Sequence, residues 1–178
     1  MPATLLEPAA IELNLLLNYF VDLCLLRARP QDLPASSVVF ALTAALNVVV
    51  GALLVVGAQL GPLLALSESL FEVGLMLAVL RLALIWQGKS ARFPQTASAI
   101  MGSSALLGLV ALPLLSIGSG EDASLGGLLL LMVVVWSIVV MGHIVRHAFE
   151  LTLGQGSIVA LLYTIVSFQI IVSIFPVG

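Results

Sequence analysis

Glu68 and Glu72 stand four residues apart in an apolar stretch, a spacing that puts both carboxylates on one face of a helix. Inside a membrane such a pair could hold a cation or relay a proton, and ionisable groups deep in a span mark sites of that kind. The plainer reading is preferred: a helix beginning near residue 68, with Glu72 about one turn in, both carboxylates favoured by the helix dipole and wetted by headgroup water. His143, His147 and Glu150 follow at i, i+4 and i+7, again one helical face. Imidazole and carboxylate ligands suit zinc or iron. These are the only two histidines, however, and no Glu-x-x-His pair of the di-iron kind occurs. The preferred reading is a polar cap at a helix end, with Glu150 near His147 and the dipole favouring cations there. A metal or haem enzyme at His143 and His147 is the weaker alternative, and no cofactor is expected.

Other chemistry is scarce. Gly154-Gln155-Gly156 lacks the Lys and Ser/Thr of a phosphate loop and reads as a turn between helices. No serine elbow or Cys-His pairing offers a nucleophile. Cys24 is the sole cysteine and lies among leucines, as a small buried apolar residue would. The chain therefore reads as no enzyme.

The elements that carry these residues follow from composition. Of 178 residues 61% are hydrophobic and 8% charged, with a mean hydropathy of +1.24, whereas soluble domains carry roughly 25% charged residues. So few charges cannot clothe a water-soluble fold, so the solvent is lipid. A spanning backbone must satisfy its own hydrogen bonds, and the apolar runs are continuous, so an all-α bundle is expected over a β-barrel. Five runs reach the roughly 20 residues a bilayer requires: about 37–60, 68–87, 95–117, 125–147 and 157–176. No basic patch with interleaved aromatics is present, which excludes nucleic acid.

Residues 1–34 form a separate N-terminal unit. Glu7, Asn14, Asn18, Asp22 and Arg29 are spaced seven, four, four and seven apart and fall on one stripe of a helix over 8–28. The expected arrangement is an amphipathic helix in the membrane interface, ended by Pro30 and Pro34. The rival is a sixth span with an external N-terminus, its stripe facing other helices. The start of the chain has no basic n-region or cleavage site.

All six basic residues fall on one side of this layout. Arg27 and Arg29 precede the first span, Arg81, Lys89 and Arg92 end the second or follow it, and Arg146 ends the fourth. The loops at 62–67 and 116–124 have no Lys or Arg. By the positive-inside rule the N-terminus is cytoplasmic and the C-terminus lies across the membrane; the expected location is a bacterial inner membrane, with the C-terminus periplasmic. Arg81 is expected to snorkel to headgroups beside Trp86.

Small residues at four-residue spacing, Gly57 with Gly61 and Ser98, Gly102, Ser104 and Gly108, let helices approach closely. Asn47, Thr164, Ser167, Gln169 and Ser173 are expected to hydrogen-bond between helices, and Pro113 to kink the third span.

The second half resembles the bacterial Yip1-like integral membrane proteins. The resemblance lies in Arg92-Phe93-Pro94-Gln95-Thr96 leading into a run that ends near Pro113, in Trp136, in the exit Gly142-His143-Ile144-Val145-Arg146-His147, and in a last span after a Gly-rich turn. It implies a five-span bundle with a cytoplasmic N-terminus and a scaffold or accessory role. The Asp-Leu-Tyr-Gly-Pro type signature of eukaryotic members is absent, and no binding residues carry over.

The leading expectation is a non-enzymatic scaffold that contacts lipid, other integral membrane proteins or further copies of itself. The alternative is a small transporter or channel using Glu72, Asn47 and the polar face of the fifth span.

Overall fold

The computed structural model describes residues 6–57, 61–117 and 123–175. They form helices and short turns, with no strand. The helices are α1 (Leu6–Cys24), α2 (Ser37–Gly57), α3 (Pro62–Trp86), α4 (Phe93–Ile117), α5 (Ala123–Phe149) and α6 (Leu153–Ile174). Five of these, α2 to α6, are long and apolar enough to cross a membrane. The protein is an all-α integral membrane protein.

Two helix starts differ from the expected ones. Helix α3 begins at Pro62, six residues before the expected position, because Gly61 provides an extended N-cap and proline suits the first helical turn. Helix α6 begins at Leu153. Thr152 Oγ1 accepts from Gln155 N at 3.2 Å, and Gln155 Oε1 accepts from Thr152 N at 3.0 Å. This capping box makes Gly154 and Gly156 helical, not part of a turn.

The basic residues lie toward one end of the bundle, and three helices, α1, α3 and α5, stop in the same way. Leu26, Gly88 and Glu150 have φ of 63°, 69° and 63°. The next amide in each case reaches back five residues: Arg27 N to Asp22 O, Lys89 N to Leu84 O and Leu151 N to Arg146 O, at 2.8–2.9 Å. These are Schellman stops.

Helix α4 is the hub, and half of it is buried, against little of α6. Helices α2 and α5 flank it, α3 packs on α2, and α6 packs on α5. The five form a horseshoe whose ends, α3 and α6, face one another across a gap with few contacts. Glycines set the close approaches: a Cβ on Gly142 would stand 2.6 Å from Ser157 Cα, and one on Gly156 would strike Gly142 O.

Helix α1 is placed differently from the expected interfacial helix. Trp136 Nε1 donates to Cys24 O (3.0 Å), His143 Nε2 to Ala28 O (2.8 Å) and Gln31 Nε2 to His147 O (2.8 Å). From Trp136 to His147 is about 16 Å of helix. The chain from Cys24 to Gln31 therefore runs alongside α5, and α1 ends well inside the bundle instead of lying flat across its end. The cause is an apolar face: Leu16, Tyr19, Phe20 and Leu23 join the core, and the Phe20 ring occupies the space a side chain at Gly102 would need. Asn14, Asn18 and Asp22 are left exposed on the opposite face.

Candidate functional site

The starts of the helices decide what Glu72 can do. With α3 beginning at Pro62, Glu72 is its eleventh residue, about 15 Å from that end. This sets Glu72 nearly three helical turns from the start of α3, deeper than the single turn expected.

Glu72 faces a cavity of about 230 Å³ at the centre of the horseshoe. Asn47, Ser104, Ser137, Tyr163, Thr164 and Ser167 share its wall, so α2 to α6 all contribute polar groups. Measured from the basic end of each helix, Asn47, Glu72, Ser104, Ser137 and Thr164 lie roughly 15–21 Å in, at helical rise. Glu72 is exposed to that space, and no Lys, Arg or His lines it. Glu68, one turn back, is not on the wall; its Oε2 is buried without a partner. The structure thus puts Asn47 on the same wall as Glu72, while Glu68 stays off that wall but within electrostatic reach of Glu72.

The wall has hydrogen-bonding capacity to offer. Asn47 Nδ2 donates to Met101 O at 3.0 Å, tying α2 to α4 and leaving its carbonyl as an acceptor. The hydroxyls of Thr164, Ser167 and Ser137 donate to their own helices, at 2.9, 3.1 and 2.7 Å, so each oxygen still accepts. Ser173 does likewise at 2.7 Å, and Gln169 is exposed. The expected interhelical bonds from α6 are absent among these residues: short hydroxyls in a helix reach their own carbonyls most easily. The Tyr163 hydroxyl is buried, within electrostatic reach of Glu72 and close to Ser167 on its own helix.

The small residues divide. Ser98 and Gly102 are buried, and a Cβ on Gly108 would meet Val50 at 2.6 Å, so these serve packing within the chain. Ser104 is exposed to the cavity, and Gly61 has nothing near it. The surroundings of Gly57 lie outside the described residues, as do Glu121 and Asp122.

The face shared by His143, His147 and Glu150 does not form. Helix α5 stops at Phe149, and Glu150 turns away to Lys89 (3.1 Å) and Arg92 (2.8 Å). The Lys89 and Arg92 hydrogen bonds hold its carboxyl below the usual carboxylate range. The two imidazoles are edge to face, 4.8 Å apart. A carbonyl only accepts, so His143 carries its proton on Nε2 toward Ala28, and Nδ1 is buried without a partner. Among the described residues no cluster of three His, Cys, Asp or Glu side chains has metal-binding geometry. The Arg81 guanidinium stacks on Phe93 at the basic start of α4, 5.1 Å from the ring centroid, and Trp86 is exposed.

Comparison with known protein families, curated proteins and solved structures finds no match to this chain. The likeness to Yip1-like proteins therefore rests on its motif residues alone.

Proposed function

We propose that this protein is a non-enzymatic membrane carrier for a small positively charged solute, held at Glu72 inside the bundle. The observation behind it is the carboxylate itself: Glu72 lies near the middle of α3, faces a polar cavity, and has no basic residue on that wall. A carboxylate at such depth is costly unless something neutralises it, roughly 2.5–3.5 kcal/mol for Asp at a span centre. A bound cation or proton offsets that cost. We place the basic end in the cytoplasm of a bacterial inner membrane, following the loop charges.

The experiment is current measurement on proteoliposomes with alkylammonium ions, Na⁺ and K⁺. Wild type should give a cation-evoked signal that Glu72→Gln abolishes and Glu68→Gln retains. If no cation gives a signal that depends on Glu72, the reading is wrong.

One observation favours the scaffold reading as a second. Asn14, Asn18 and Asp22 form an exposed polar face on a helix inserted among the spans. A polar partner helix would cover it. Cysteine crosslinking from Asn18→Cys in native membranes should then trap a partner, and a clean monomer would count against it.

A further inference from the structure

A second cavity, of about 190 Å³, lies beside the first. The two share Met76, Ile100, Met141 and Tyr163, so they are adjoining halves of one space divided by a thin wall. Their chemistry is opposite. The first has Glu72, Asn47 and hydroxyls. The second is a slot with walls such as Val79, Leu80, Ala83, Val145 and Val159, with Trp86 at its end.

The slot follows α3 from Trp86 to Met76, about 15 Å of helix. It lies along the gap between α3 and α6, where the horseshoe does not close. Val79 and Val159 are over 40% exposed while also lining the slot, so it opens sideways, toward lipid. Toward the other end the gap is shut by Phe71 and Phe175, whose rings are 5.8 Å apart. The side entrance therefore leads through the basic half of the bundle and reaches Glu72 only past the shared wall.

We infer that the ligand is an amphiphile: a long-chain organic cation with its charged head at Glu72 and its alkyl tail in the slot. This rests on the reading of Glu72 as a cation site. Charge selects the head. An anionic headgroup would meet Glu72 as a like charge with no Lys, Arg or His on either wall. An ammonium would find a carboxylate, the Asn47 carbonyl and hydroxyl oxygens, all of which accept. Continuity selects the tail: the slot adjoins the head site, is apolar, and admits a chain from the bilayer without passing it through water. Met76 and Met141 on the shared wall are flexible side chains that can yield to the passage of a head.

The test is photolabelling in nanodiscs with dodecylammonium carrying a diazirine on its tail. Labelled peptides should map to α3 around Val79 to Trp86 and to α6 around Val159. Unlabelled dodecylammonium should compete and methylammonium should compete far less. Glu72→Gln should lower amine labelling about tenfold, the worth of one charge-assisted hydrogen bond, to the level of a neutral dodecanol probe. Ala83→Trp, which narrows the slot, should remove tail labelling. Val79→Trp replaces it should Ala83→Trp fail to run as a monodisperse peak. Equal labelling by amine and alcohol, unchanged by Glu72→Gln, would show that ordinary lipid fills the slot and would overturn the inference. Methylammonium competing as well as dodecylammonium would overturn the amphiphile yet leave the cation site standing. Loss of every Glu72-dependent cation signal would remove both.

Discussion

Glu150 and Glu72 are the same side chain in two settings. Glu150 stands at the basic end, outside the spans, gripped by Lys89 and Arg92. Those cations also bind the last carbonyls of α5: Arg92 Nη1 reaches Ala148 O at 3.0 Å, and Lys89 Nζ reaches Phe149 O at 3.3 Å. Glu72 stands at mid-bundle, and no salt bridge reaches it among the described residues. Gln95 Nε2 bonds Leu33 O at 2.8 Å and Gln31 bonds His147 O, so the basic end is stitched from four segments of chain. The cavity wall is stitched by little beyond Asn47. One carboxylate is used up in holding the helices in place. The other retains its capacity for something that is not part of the chain. Burial alone does not separate these roles; the presence or absence of a cation from a neighbouring element does.

Substitutions can break this contrast. The largest effect on stability should come from Gly142→Leu, whose side chain would drive α6 away from α5 at Ser157. Overpacking of this kind costs about 3 kcal/mol, and unfolding in mixed micelles measures it. Arg92→Ala should cost about 1 kcal/mol, mostly from the freed carbonyls of His147 and Ala148, since exposed ion pairs contribute little. Gly88→Ala should cost a similar amount, about 1 kcal/mol, because its φ of 69° is left-handed. Leu26 and Glu150 already tolerate that conformation, so a loss much above this would mean that Gly88 has a further role.

Acidification should loosen the basic end. Because Glu150 is held below its ordinary 4.5, its stabilisation is present above that pH in the folded protein and is lost as pH falls through the lowered value. Melting temperature followed from pH 7 downward should therefore drop less in Glu150→Gln than in wild type. An equal drop would mean that the clamp does not carry the acid sensitivity. Glu72→Gln alone should not lower stability, since it removes an unpaired carboxylate from mid-bundle, although it abolishes the cation signal. A large loss of stability in Glu72→Gln would instead make Glu72 a structural residue and erase the contrast.

The spans were legible in the sequence because twenty apolar residues in a row have few other uses. Their starts were less so. Pro62 reads as loop although proline after Gly61 is a start signal, and the Thr152 and Gln155 capping box is masked by the glycines beside it. The first obscures the depth of Glu72 in its helix, and the second obscures Gly156 as a packing point. Trp136 and Gly102 stood out in the sequence, but nothing there indicated that one would hold Cys24 and the other admit Phe20.

The amino-acid sequence by itself determined the solvent, the helical class, the five spans and the clustering of basic residues at one end. These depend on composition and local periodicity, which act within one helix. Only the tertiary structure decided that Glu72 shares a cavity wall with Asn47 that Glu68 does not join, that Glu150 leaves its histidines for Lys89 and Arg92, and that α1 enters the bundle. Each depends on which helix face lies opposite, and that is settled by side-chain shape between segments far apart in the chain.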